Sequence, residues 1–212
     1  MLSLCVFAQQ DTLVYRCVNT NEKKISLSFD DGPHPVHTEK ILSVLEKYDI
    51  KATFFIVGQN AEYYPDIVRR IAEEGHEIGN HTFSHKWDKK GTEESFYNEL
   101  KKTHEKILDI CEYDIKLFRP PGGYLNKNII KQADSFGYKI ILWNIDTKDW
   151  THLSPEKIVE NIQSNVKKGS IILLHDFIGN HSPTPEALDK IIPLLKEEGY
   201  TFVKVGELID NK

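Results

Sequence analysis

The 212-residue chain has no apolar run long enough to cross a bilayer, a task that takes about 20 such residues in a helix. It also lacks any dense stripe of lysine and arginine, and its formal net charge is -5. The electrostatic footprint of a nucleic-acid binder is therefore missing. No G-x-G-x-x-G opens a helix after a strand, and no glycine loop is built to cradle phosphate, which argues against a nucleotide cofactor. Internal repeats, low-complexity tracts and linkers are absent as well. The expectation is one domain, probing no partner beyond its substrate and working as a monomer, with 40% hydrophobic residues to build its own core.

Cysteine is scarce, with only Cys5, Cys17 and Cys111. The opening "MLSLCVFAQQ" carries an apolar run from Leu2 to Ala8, like the tail of a secretory signal whose charged start is missing, with Val6-Phe7-Ala8 as a loose cleavage site. On that reading residues 1–20 are an N-terminal arm and residues 21–212 the domain proper. The protein is then secreted or held in the cell envelope; without a signal it would be cytoplasmic. Cys5 would leave with the signal, while Cys17 and Cys111 could pair or stay free. Leu4 stands where a lipoprotein anchor at Cys5 would want a small residue.

What the chain does have is alternation. "ISLSFD" and "KATFFIV" are β-prone, and "TEKILSVLEKY" between them places Ile41, Leu42, Leu45 and Tyr48 at helical spacing. Helical "DIVRRIAEEGH" and extended "EIGNH" follow, then a long polar helix begun by Thr92, and the pattern continues to the C-terminus. Ser154-Pro155-Glu156 and Thr184-Pro185-Glu186 look like helix starts, with a hydroxyl at the cap. Such alternation implies α/β architecture with parallel strands, doubly wound or closed as a barrel. In either, the ligand site lies at the strands' C-terminal ends.

Those ends carry Asp30 and Asp31, His81 and His85, Arg119, Asp146 and Asp149, then His175 and Asp176. Five successive strand ends delivering titratable groups point to a common cleft. Asp30 and Asp31 sit where a strand meets a turn at Gly32 and Pro33, and a sharp turn can swing Asp31 toward the cleft. Two adjacent carboxylates need a cation or a donor to compensate them. His81 and His85 are four apart, so on a helical turn both rings would face one way. With Asp31 they make two imidazoles and a carboxylate, leaving open positions as a catalytic metal site does.

"SFDDGP", "HTFSH", "RPPGG", "DTKDW" and "LLHD" occur in the order and spacing of the polysaccharide deacetylases, carbohydrate esterase family 4, whose homology domain also occurs in nodulation-type chitooligosaccharide deacetylases. The chain resembles that family from about Lys23 to its C-terminal helix. The resemblance implies a distorted (β/α)7-8 barrel and a hydrolase that removes N-acetyl groups from N-acetylglucosamine in chitin oligomers or peptidoglycan. It implies one divalent metal, zinc foremost, with cobalt, nickel, iron or manganese also suited to the ligands, held by Asp31, His81 and His85. By the same likeness Asp30 is the general base, Arg119 its partner, His175 the general acid and Asp149 the carboxylate that orients it. Gly122 offers an oxyanion N–H, and Trp150 and Leu173 wall the acetyl methyl. The chain departs from the family in having Gly122 where many relatives carry tyrosine, which leaves the sugar site's wall more open. O-acetyl esterase action on xylan, small-amide hydrolysis, or a non-catalytic glycan-binding module are the competing expectations.

Overall fold

Strand and helix alternate along the computed structural model, which describes residues 6–9, 12–86, 92–179 and 181–210. The elements are β1 (Val6–Gln9), β2 (Thr12–Tyr15), β3 (Lys24–Asp30), α1 (His37–Lys47), β4 (Thr53–Ile56), α2 (Gly58–Tyr63), α3 (Pro65–Glu73), β5 (Glu77–Asn80) and α4 (Glu93–Cys111). There follow β6 (Leu117–Phe118), α5 (Lys127–Ser135), β7 (Lys139–Ile141), β8 (Ile145–Asp146), α6 (Pro155–Asn165), β9 (Ile171–His175), α7 (Thr184–Glu197), β10 (Thr201–Phe202) and α8 (Val205–Asp210). The strand order is β1-β2-β7-β6-β5-β4-β3-β9-β8, with β10 beside β3. Among the described residues every strand pairing is parallel except that of β1 with β2. The sheet curls into a half-barrel surrounded by helices, the distorted barrel that the sequence leads one to expect.

Alternation along each strand divides the core in two. Ile25, Leu27, Phe29, Phe54, Ile56, Ile172 and Leu174 pack outward against the helices, whereas Phe55, Leu117, Ile141 and Ile171 join Val205, Leu208 and Ile209 of α8 inside the curl. Ser26 and Ser28 also point into it and are wholly buried. Their hydroxyls donate to the carbonyls of Val203 and Ile172. Small polar side chains here leave room inside the curl for something larger.

The register of the central strands levels their C-terminal ends. Asp30 lies opposite Phe55 of β4 on one side and His175 of β9 on the other. Asn80, at the end of β5, lies opposite Phe118. The residues that follow these ends therefore open onto one rim.

The N-terminal region differs from an arm. Thr12–Tyr15 is a strand of the sheet, with Val14 opposite Ile140 and Tyr15 opposite Ile141, and both side chains are buried. Cys17 is disulfide-bonded while Cys111 is a free thiol, so the two do not pair with each other. Residues 1–5 of the signal-like run, Cys5 included, lie outside the described residues.

Candidate active site

Arg119 fills the space beside the two serines. It is completely buried, and its guanidinium donates to Asp30 Oδ1 at 2.6 Å, to Ser28 Oγ at 2.9 Å, and to the carbonyls of Ile141 and Leu142 at 3.2 and 3.3 Å. The ring of Phe55 lies 4.1 Å from it and that of Trp143 5.6 Å. A buried charge is tolerated only when paired and hydrogen-bonded, and this one is both.

Asp31 leaves the strand with φ of 81°. That left-handed backbone, unusual for a residue with a Cβ, turns its carboxylate toward the histidines. Gly32 follows because nothing larger fits: a Cβ there would fall 2.0 Å from a carboxylate oxygen of Asp176. Asp176 accepts from Gly32 N–H at 2.8 Å and from the Thr38 hydroxyl at 2.7 Å. Burial pushes its carboxyl up to about 7.

The Asp31 carboxylate lies 3.3 Å from His81 Nε2 and 3.1 Å from His85 Nε2. The three residues form a group whose ligand atoms all lie within 4.8 Å of one another. Tetrahedral bonds of about 2.1 Å to nitrogen and oxygen separate neighbouring donors by roughly 3.4 Å, so these side chains fit a divalent cation at their centre. His81 Nδ1 lies 2.7 Å from the Arg119 carbonyl. That bond places its proton on Nδ1 and leaves Nε2 a lone pair for the metal, as ligating histidines require. Burial would raise the Asp31 carboxyl, but the two imidazoles outweigh it and hold it well below the usual carboxylate range.

The helical turn expected for "HTFSH" is not there. Residues 81–86 form a loop in which Thr82 and His85 are left-handed, with φ of 67° and 52°, and the rings meet at a centroid distance of 5.0 Å because the loop doubles back.

At the end of β9, the strand next to β3, His175 Nδ1 lies 2.8 Å from Asp149 Oδ1. Asp149 is wholly buried and also accepts from the N–H of His175 and of Trp150 and from the hydroxyl of Thr184. Thr184 is thus the first residue of α7, bonded to Asp149, and not its capping hydroxyl. Burial alone would lower the His175 imidazole, but Asp149, with the charges of Asp30 and Asp31 beyond it, lifts it to about 9. At neutral pH the ring is a proton donor.

These groups line one cleft of about 320 Å³ together with Gly122, Trp143, Asp146, Trp150 and Leu173. Every site residue named from the sequence is either in its wall or directly behind it, as Arg119 and Asp149 are. Leu173 is buried, while Trp150 is 51% exposed and stands at the rim. Gly122 belongs to a 3-10 turn whose hydrogen bonds run from Gly123 N–H to Pro120 and from Tyr124 N–H to Pro121, so neither uses the Gly122 N–H. Sequence reasoning missed Trp143, which lines the cleft and flanks Arg119. Its only signal was a large aromatic closing the run "KIILW". Ser28, Thr38 and Thr184 were missed too, since each acts on a partner distant in sequence. Asp146 stands in the cleft wall and caps the following turn, accepting from Lys148 N–H at 2.9 Å.

The model of the polysaccharide deacetylase family matches residues 18–141. A peptidoglycan-N-acetylglucosamine deacetylase of Bacillus cereus is 42% identical over 200 residues, which cover 92% of each chain. The chain belongs to the polysaccharide deacetylase family. It is an enzyme of that family, a deacetylating hydrolase. A solved peptidoglycan N-acetylglucosamine deacetylase, in complex with an N-hydroxybenzamide compound, superposes with a TM-score of 0.90 at 40% identity, over 94% of both chains. A family 4 acetyl xylan esterase from Clostridium thermocellum, in complex with cobalt, gives a TM-score of 0.83 at 35% identity, covering 88% of this chain and 90% of that one.

Proposed function

We propose that this polysaccharide deacetylase removes the N-acetyl group from N-acetylglucosamine units of peptidoglycan, with Asp31, His81 and His85 holding one divalent cation. The observation that carries the reading is the pairing of Asp30 with His175 across adjacent strands, beside the cradle. A carboxylate and a proton-bearing imidazole flank one small space, and amide hydrolysis needs both: a base for the attacking water and an acid for the departing amine. Zinc suits the donors best, and cobalt, nickel, iron or manganese would also bind. The cation would polarise the acetyl carbonyl and make the attacking water more acidic.

The chain's own residues do the rest. Asp30, fixed at Oδ1 by Arg119, takes the proton from water with its other oxygen. His175, held by Asp149, gives a proton to the leaving nitrogen, which would otherwise be too basic to depart. The Gly122 N–H serves as a donor to the developing oxyanion, and Leu173, Trp150 and Trp143 enclose the methyl and exclude water from it. The peptidoglycan substrate is supported by the likeness to the Bacillus cereus deacetylase and is consistent with work in the cell envelope or outside the cell.

A second reading, O-deacetylation of xylan, is favoured by the likeness to the acetyl xylan esterase. Mass spectrometry of products from N-acetylglucosamine oligomers of increasing length, from peptidoglycan fragments and from acetylated xylan separates the two. Loss of one acetyl mass per N-acetylglucosamine, abolished by a chelator and restored by zinc or cobalt, is expected. Release from xylan alone would replace the amide reading with the ester one.

A further inference from the structure

We propose that Glu99 of α4 is a positioning residue for the metal cradle, fixing the loop between His81 and His85 so that the second imidazole stays aimed at Asp31. The proposal rests on the metal reading of that site and adds a residue to it. Glu99 lies outside the motif that carries both histidines, on a helix that, among the described residues, gives no side chain to the cleft wall.

The loop has little reason to hold its shape unaided. Thr82 and His85 are both left-handed without being glycine, a backbone that persists only where surrounding contacts over-determine it. The two rings are also held differently. His81 is anchored through Nδ1 to the Arg119 carbonyl, whereas among the described residues nothing hydrogen-bonds His85 Nδ1, and its side chain is 37% exposed. Apart from its contact with Asp31, His85 is therefore aimed by its backbone.

That backbone is gripped from two sides. One carboxylate oxygen of Glu99 accepts from Phe83 N–H at 3.0 Å, from Ser84 N–H at 2.7 Å and from the Ser84 hydroxyl at 3.0 Å. On the opposite side Gly58 and Gln59 donate their N–H groups to the carbonyls of Thr82 and Phe83 at 3.0 and 2.9 Å. Gly58 permits that approach, because a Cβ there would meet the Phe83 ring at 2.6 Å. The α2 contacts satisfy the loop's carbonyls and Glu99 the amides of Phe83 and Ser84, while Asn80 Oδ1 accepts from Thr82 N–H. Only the Glu99 set includes the residue next to His85, and charge-assisted hydrogen bonds of this kind are the stronger ones. Partners that orient metal ligands commonly change metal affinity by about tenfold to a hundredfold when lost.

The test measures zinc dissociation constants by competition with a chromophoric chelator for wild type, Glu99→Ala, Glu99→Gln, Ile107→Ala and His85→Ala, together with visible spectra of the cobalt-loaded proteins and thermal melts without metal. Ile107 is buried on the same helix and touches none of the loop's hydrogen bonds, so its truncation destabilises α4 without releasing the clamp. Glu99→Ala is expected to weaken zinc about tenfold to a hundredfold and to shift the cobalt spectrum toward that of His85→Ala. Glu99→Gln, which keeps an acceptor oxygen without the charge, should fall between, and serves alone if the alanine variant does not fold. Ile107→Ala should lower the melting temperature yet leave zinc affinity within about twofold. Unchanged affinity and spectrum in both Glu99 variants, or an equal loss in Ile107→Ala, would overturn the clamp while leaving the cradle intact. Failure of the wild type itself to bind zinc would overturn the metal reading and this proposal with it.

Discussion

Asp30 and His175 stand side by side at the ends of β3 and β9, and each is backed by a counter-ion of the opposite sign. Behind the carboxylate lies the Arg119 guanidinium; behind the imidazole lies the Asp149 carboxylate. Both counter-ions are buried more deeply than the groups they serve, and both are surrounded by neutral partners. Arg119 has Ser28 and two carbonyls. Asp149 has Thr184 and two backbone N–H groups. A lone buried ion would be costly, so a fully bonded one marks a position where charge has a use. The fold thus sets each of the two proton-carrying groups from a buried counter-ion behind it and leaves their other faces to the cleft.

The comparison breaks first, and most visibly, at Asp149. Asp149→Asn keeps the shape but removes the anion, so acetate release should fall about a hundredfold to ten-thousandfold. The pH profile carries the diagnosis. His175 must be protonated to act, so the wild-type rate should decline as pH rises through about 9, and a bound cation would move that limb somewhat lower. In Asp149→Asn the limb should retreat toward the ordinary imidazole value of 6.5. The same shift has a stability side. A histidine whose pKa is raised on folding contributes fully below about 6.5 and loses that contribution as pH climbs through about 9. Denaturant melts across this window should show the loss in wild type and little of it in the asparagine variant.

Arg119→Met tests the opposite pair. It strands the Asp30 carboxylate in the interior, which should cost about 3–5 kcal/mol in urea denaturation and abolish acetate release. A cost below about 1 kcal/mol would mean that the two halves of the site are not built alike. Thr184→Val removes one donor to Asp149 and should cost about 1–3 kcal/mol, with the alkaline limb moving up slightly as the remaining anion strengthens. Ser28→Ala should be milder, about 1 kcal/mol, since Arg119 Nη2 keeps the Leu142 carbonyl.

The paired groups were legible in the sequence and their supports were not. Asp30, Arg119 and His175 close apolar runs and Asp149 lies a few residues beyond one, local signals that survive in one dimension, while their pairing was implied by the family resemblance. Ser28 and Thr184 look like ordinary strand and cap residues, because their meaning depends on Arg119, 91 residues from Ser28, and on Asp149, 35 residues from Thr184. His81 and His85 lie close together, but not by the helical spacing the sequence suggested, since a loop with two left-handed residues brings their rings together. The α/β alternation pointed to parallel strands, doubly wound or closed, and the resemblance to the family implied the barrel. Neither revealed that Thr12–Tyr15 joins the sheet, because a four-residue strand beside a signal-like run has no periodicity to distinguish it.

The adjacent aspartates assign the central division of labour, one to the cation and one to the proton. Asp30→Asn, assayed in a single preparation for bound zinc and for acetate released from N-acetylglucosamine oligomers, tests it most directly. The account predicts about one zinc per chain, as in wild type, with turnover reduced by at least about a hundredfold. Full turnover, or zinc lost along with turnover, would contradict it.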